Sequence, residues 1–340
     1  MAISVSYNLA TGGAITIPLD KIVKMRVIRK YYDPIRLFYV ECILDTPPAS
    51  EPVTLLFTVN GVTEVFMVKN YLYENNVMTI LGQGLAHKIL DAGVLPGEKY
   101  AFSSANLTSE YITPHYSKGT ELPSAPAWPI FFWHGNISAW DVVEAYCRQR
   151  FERIPRINEK EQVSVYTLNS KAHISLGNLT SGMKAISEKE QIFSVTDDIK
   201  GVIRKIYVNQ NMEGEIPDFS HVENNPYNVK NNIQKIMYWT PKDAYTLLGN
   251  SAARTMIYQS TLAKTKIKLK YPTFYHAHTG DVVKFKDSRY EGGALKYMYI
   301  GAYEASFEGG MWSTSFQLWD TKYLFPWASA ELSNKGIPSS

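Results

Sequence analysis

Apolar and polar side chains alternate with a two-residue period in two stretches of this chain, one near each end. That period places every second side chain on one face of a pleated strand. In the first stretch Phe38, Val40, Cys42 and Leu44 alternate with Tyr39, Glu41 and Ile43, and Val53 to Val59 keeps the same period. Asn60-Gly61 supplies the two positive-φ positions of a tight hairpin turn, Val62 to Lys69 returns, and Asn75-Asn76 leads into Val77 to Leu81. The second stretch has the same grammar. Ile267, Leu269 and Tyr271 alternate with Lys266, Lys268 and Lys270, and Gly280-Asp281 turns into Val282 to Lys286. Glu291 to Gly293 then leads to a tyrosine-rich strand from Leu295 to Phe307, and Gly309-Gly310 closes a hairpin onto Trp312, Thr314, Phe316 and Leu318. The pattern predicts a mainly β protein with a few helices, of α+β class, in which two similar β-barrel modules related by duplication flank a small α/β middle part. Lys266, Lys268 and Lys270 share one strand face, where they either meet an acidic neighbour or discourage wrong edge pairing, the simpler reading.

The middle is less regular. Residues 101–128 are rich in Ser, Pro and Tyr and read as a linker or extended loop. A helix follows, with Ser138 placed to cap its first turn, Asp141 placed to reach back, and Trp140, Val143, Cys147 and Phe151 on one stripe. Glu144, Arg148 and Arg150 take its polar face. Strands are expected through Val163 to Leu168 and Gly201 to Val208, with a turn region near Gly177 and Gly182 between them. Residues 209–232, rich in Asn, Pro and Gly, read as a long surface loop. Thr240-Pro241 opens a second helix through Ala244, Leu248, Ala252 and Met256 toward Leu262, with Gly249 costing about 1 kcal/mol and marking a bend or break. Four units are therefore expected: a first barrel over 1–105, a middle domain over 106–200, a second barrel over 201–328 and a flexible tail over 329–340.

The 340 residues, 45% hydrophobic and 20% charged, are those of an ordinary globular protein, and a formal net charge of +3 does not indicate a strongly basic nucleic-acid surface. Cys42 and Cys147 read as small buried hydrophobes, not as a disulfide or metal pair. The first residues lack the pattern of a secretory signal, and no apolar run reaches membrane-spanning length, so synthesis in the cytoplasm is expected and the Asn-X-Ser/Thr triplets at Asn106, Asn136 and Asn178 are chance matches.

Chemistry is thinly represented. His276 and His278 with Asp281 offer metal-ligand types, but at a spacing that fits known ligand patterns loosely. Gly82-Gln83-Gly84 lacks the third glycine and the acidic partner of a dinucleotide loop and reads as a strand ending in a turn. Asp197-Asp198 would point to opposite faces of a strand and read as a solvated turn. No nucleophile elbow, phosphate loop or zinc-protease helix is present. We therefore expect no catalytic residue, no cofactor and no metal. Tyr297, Tyr299, Tyr303, Trp312 and Trp319 either fill a core or present ring faces to sugars, the basis of an alternative reading as a carbohydrate-binding β-protein on a particle or cell surface.

The order of these elements resembles the baseplate hub family of contractile phage tails, the late-control-D and Mu-like tail hub proteins and their relatives in phage-like bacteriocins. The early strands with Val53 to Gly61 are similar to the opening hub barrel, and Asn136 to Cys147 with Ile154 to Ile157 to the family's middle helix and next strand. Ile192 to Val202 looks like the return into the barrel region. Ala252 to Arg254, Gly280 to Phe285, Tyr299 to Gly301 and Phe316 to Leu318 look like the closing barrel. The resemblance implies a non-enzymatic homotrimer whose six barrels make a ring of true threefold and approximate sixfold symmetry. Such a ring would join a sixfold tail tube on one face to a threefold spike on the other and touch other baseplate proteins. It would bind no nucleic acid sequence-specifically, enter no membrane, and be assembled from the bacterial cytoplasm into a phage tail or tailocin particle.

Overall fold

The computed structural model describes residues 2–30, 33–84, 86–90, 93–94, 99–102, 112, 117–118, 128–132, 137–151, 153–157, 162–165, 169–177, 192–197, 202–209, 216–226, 235–240, 244–245, 250–262 and 265–320. The first module consists of β1 (Ile3–Leu9), β2 (Ala14–Ile17), β3 (Ile22–Lys30), β4 (Asp33–Ile43), β5 (Pro52–Val59), β6 (Val62–Glu74) and β7 (Val77–Gly84), all paired antiparallel. Its turns follow the residues that permit them. Asn60 and Gly61 take φ of 50° and 83°, and Asn75 and Asn76 take 52° and 62°, so both hairpins close on the left-handed positions these side chains tolerate.

A short helix α1 (His87–Leu90) leads to the middle elements β8 (Gly93–Val94), β9 (Lys99–Phe102), β10 (Ser117–Lys118), β11 (Trp128–Phe132), β12 (Ile137–Ser138), α2 (Ala139–Phe151), β13 (Pro155–Ile157), β14 (Gln162–Val165), β15 (Asn169–Gly177) and β16 (Ile192–Asp197). The expected cap of α2 is reciprocal: Ser138 Oγ accepts from the Asp141 amide at 3.2 Å, and Asp141 Oδ2 accepts from the Ser138 amide at 2.8 Å. Trp140, Val143 and Cys147 are buried beneath it. Then come β17 (Ile203–Val208), β18 (His221–Asn224), β19 (Lys235–Trp239), β20 (Ala244–Tyr245) and α3 (Asn250–Leu262). The chain ends in β21 (Thr265–Tyr271), β22 (Asp281–Lys286), β23 (Lys296–Glu308) and β24 (Met311–Asp320).

Three expectations need correction. The second helix spans Asn250–Leu262 and does not open at Thr240-Pro241, because Ala244 and Tyr245 take backbone partners from β11. Residues 221–224, assigned to a surface loop, form β18, since pairing with β17 satisfies their backbone groups. Lys268 and Lys270 guard no edge, because β21 lies between β16 and β24. Most of 101–128, residues 210–215 and 227–232, Gly182 and the tail over 329–340 lie outside the described residues.

The two modules share one sheet of thirteen strands, with its main path running β16-β21-β24-β23-β3-β4-β7-β6-β5-β1-β2. The join is β3 against β23, antiparallel from Lys24 opposite Glu308 to Lys30 opposite Ala302. One buried cluster fills its inner side, from Val5, Phe38 and Phe66 in the first module to Leu269, Phe285 and Leu318 in the second. Among the described residues no helix is long and apolar enough to cross a membrane.

β23 serves two partners on one edge. Its first residues pair with β22 and its later ones with β3, and its register against β24 shifts between Ile300 and Ala302. Gly301 sits at that shift, and a Cβ added there would lie 2.3 Å from Trp319 Cε2. The indole therefore occupies the space any other residue's side chain needs. Gly301→Ala is expected to lower stability by about 1–3 kcal/mol through overpacking, read as a fall in the urea midpoint at constant slope.

Candidate functional site

The segment between β21 and β22, residues 272–280, enters the inner side of the sheet and brings the second module against the first. Phe274 sets its ring 6.4 Å from Phe57 and 4.7 Å from Trp312, both edge-on. Two residues later the chain meets three charged side chains from the first module. Arg29 on β3, Arg36 on β4 and Glu64 on β6 are all buried, at 3%, 6% and 2% exposure. Such burial is tolerated only where charges neutralise one another and hydrogen-bond.

The geometry meets that condition. Arg29 donates one guanidinium nitrogen to Glu64 Oε1 and the other, Nη1, to the Ala277 carbonyl at 2.7 Å. Arg36 Nη1 donates to Glu64 Oε2 at 2.8 Å, and His276 Nε2 stands 3.9 Å from Glu64 Oε1. Arg29 also lies 4.9 Å over the Tyr303 ring, and Tyr303 donates its hydroxyl to the Tyr275 carbonyl at 2.8 Å. Burial by itself would raise the Glu64 carboxyl, but the Arg29 guanidinium, the nearby His276 imidazole and the Arg36 guanidinium outweigh it and hold the group well below the usual carboxylate range. Burial and the Arg29 charge pull the His278 imidazole well below its ordinary value, so it is neutral at pH 7. Burial pushes Tyr303 up to about 12. Both Glu64 oxygens are engaged by guanidinium groups, which leaves that carboxylate unsuited to proton transfer, and Arg29 ties the first module to the second through the Ala277 carbonyl and the Tyr303 ring.

The sequence signal for this cluster is a charge on the apolar phase of a strand. Arg29 is in phase with Met25 and Val27, Arg36 with Phe38 and Val40, and Glu64 with Phe66. Sequence reasoning passed over all three.

The residues it did single out are placed as follows. His276 and His278 are brought together, with ring centroids 4.7 Å apart, and Asp281 Oδ2 accepts from the His278 amide at 2.9 Å. Glu64 stands 3.9 Å from His276 Nε2, and its two arginines repel a cation. No group of metal-ligand side chains stands among the described residues. Gly82 and Gly84 end β7, where a Cβ on Gly82 would lie 2.8 Å from Phe66 Cβ, so close packing and not phosphate binding explains the first glycine. Asp197 ends β16, and Asp198 lies outside the described residues. Cys42 and Cys147 are free and buried, and burial with the Glu41 charge pushes the Cys42 thiol up to about 11. Of the five aromatics weighed for sugar stacking, Tyr299, Tyr303 and Trp319 are buried, Trp312 packs on Phe274 and Phe307, and Tyr297 is half-buried on β23.

Exposed apolar side chains gather elsewhere. The outer face of the β18-β17-β19 sheet presents Tyr238 at 65% exposure and Ile236 at 47%, with Tyr207 stacked on Tyr238 at 5.0 Å. The inner face of the same sheet packs on α3 through Ile206, Val208, Ala253 and Ile257. Among the described residues β2 and β16 end the main path of the large sheet, each with one neighbour. Unpaired edges and exposed aromatic faces are features of surfaces that contact other chains.

No family model matches this chain, and no curated protein does. Among solved structures it is similar to the 43 kDa tail protein of prophage MuSo2 from Shewanella oneidensis, with 12% identity, a TM-score of 0.69, and 95% of this chain and 100% of that one covered. It is also similar to the tail protein from Neisseria meningitidis MC58, with 11% identity, a TM-score of 0.66, and 94% and 97% covered. A third is the E. coli c3393 protein, a type VI secretion system component described as structurally similar to the T4 bacteriophage tail proteins gp27 and gp5, with 8% identity, a TM-score of 0.53, and 88% and 73% covered. The chain has the fold of these tail proteins.

Replacing Glu64 by Gln leaves two buried guanidinium groups without a counter-charge and is expected to cost about 3–5 kcal/mol in chemical denaturation. The pH dependence has a fixed sign. Both Glu64 and His278 have folded-state values below their unfolded ones, so the stability each contributes is present above its unfolded pKa and lost as pH falls. Native protein should lose stability first below about pH 6.5, as His278 protonates in the unfolded state, and further below about pH 4.3, with a shallower acid limb in Glu64→Gln.

Proposed function

We propose that this chain is the structural hub of a contractile tail or injection apparatus, a homotrimer that joins a sixfold tube to a threefold spike. The observation that carries the reading is that the likeness to the Shewanella tail protein runs over both β-modules and covers that protein completely. The printed likeness of the E. coli secretion component to gp27 and gp5 supports it from a second direction. Three copies, each contributing two β-modules, would give six similar units around one axis, the arrangement a joint between sixfold and threefold parts requires.

In this reading the division into a first barrel over 1–105, a middle domain over 106–200 and a second barrel over 201–328 describes ring, brace and ring, with 329–340 as a tail. The β2 and β16 edges pair or pack across subunits, and the Tyr238 face meets a neighbouring component. The chain performs no catalysis. It is made in the bacterial cytoplasm and incorporated into a phage tail or tailocin particle beside tube, spike and other baseplate proteins.

Light scattering on the purified protein over a range of concentrations tests the assembly. A mass three times that of the 38.5 kDa chain is expected, with threefold rings in electron micrographs. A monomer at every concentration, alone and with tube and spike proteins added, would overturn the proposal.

A further inference from the structure

The outward face of the large sheet carries a trough that crosses β16, β21, β24, β23 and β3. Small side chains, Ser194, Ser315 and Ala302, leave a hollow of about 370 Å³, and Lys30, Lys268 and Lys270 line it. A second hollow, about 440 Å³, shares Lys30, Ala302 and Gln317 with the first and continues past Gly301 to Asp33 and Trp319. All three lysines are exposed.

The lysines of this trough face neutral neighbours. Lys268 faces Gln317 and Ser194 in register, and Lys270 faces Ser315 and Ile192, so no carboxylate stands opposite either on its neighbouring strands. The carboxylate lining the first hollow, Glu304, is already held by Arg26, at 2.7 Å to Nε and 2.9 Å to Nη2. Because β21 is an interior strand, edge protection does not account for its lysines. Like charges two residues apart on one strand face repel one another, and an anionic occupant relieves that repulsion.

We propose that the trough is a docking site for an extended acidic segment of a partner protein, laid across the strands with carboxylates on Lys268, Lys270 and Lys30. Adjacent strands lie roughly 4.8 Å apart, so β21 and β3 are separated by about 14 Å, which an extended chain spans in about four residues. The segment is therefore one whose acidic side chains recur at about that spacing. A nucleic-acid strand fits less well, since a net charge of +3 over the chain and three lysines in the trough do not make the strongly basic surface that a phosphate backbone calls for. Recognition of this kind is governed by complementary charge and weakens with salt.

Fluorescence anisotropy at low salt, with the full chain and a labelled hexaglutamate peptide, tests the site. Hexaglutamate is expected to bind and hexaglutamine not to. Replacing both Lys268 and Lys270 by Gln should weaken binding at least about tenfold. Replacing both Lys284 and Lys286 by Gln removes the same charge from β22, outside the trough, and should change binding less than about twofold. Circular dichroism verifies that both double variants fold. Equal weakening by the two double variants would reduce the effect to net charge and overturn the site. Equal binding of the two peptides would do the same, as would a single-stranded oligonucleotide that outcompetes hexaglutamate at these lysines.

Discussion

Everything else in the molecule depends on the backbone pairing of β3 with β23. These strands belong to modules more than 250 residues apart in sequence, yet they hydrogen-bond from Lys24 opposite Glu308 to Lys30 opposite Ala302 and make one sheet of two. Without that ladder both modules would present an unpaired edge beside an open core. β23 can form it because it is long, thirteen residues, and because Gly301 lets it change neighbours partway along while Trp319 fills the vacated space.

The buried charges at the seam follow from this join. Two sheets brought edge to edge leave their inner faces apolar but not specific, since hydrophobic packing tolerates many arrangements of similar volume. Arg29, Arg36 and Glu64 with the Ala277 carbonyl accept only one. Their desolvation cost offsets much of their attraction, so their net contribution to stability is modest and their effect on uniqueness larger. Placing the lock on the second module's 272–280 segment ties the fold of each module to the presence of the other.

Inner and outer faces of the sheet then divide the work. The inner face holds the apolar cluster with Tyr303 and Trp312, the outer face holds lysines opposite neutral neighbours beside the buried Tyr299–Trp319 stack, and the smaller sheet exposes Tyr238. A rigid curved sheet with distinct surfaces at its edges and on its outer face suits a component whose role is to hold other proteins in fixed geometry. This is the physical content of the hub reading.

Local sequence determined what short-range physics can determine. The strand period of Phe38 to Leu44, the Asn60-Gly61 turn and the Ser138–Asp141 cap all lie within reach of a few residues, and each was legible because its partners are neighbours. The inward phase of Cys42 belongs with them. The start of α3 was missed because β11, more than a hundred residues earlier, supplies partners to Ala244 and Tyr245. β18 pairs with nearby β17 but carries no apolar period of its own, and the interior position of β21 and the Arg29–Glu64–Arg36 cluster depend on partners on other strands, the charges showing in sequence only as exceptions to an apolar phase. Which buried charge meets which partner depends on groups separated by 28 to 248 residues, and the pairing of β3 with β23 spans more than 250. Sequence sets the pattern along each strand; the choice among possible partners is made only when the chain closes on itself.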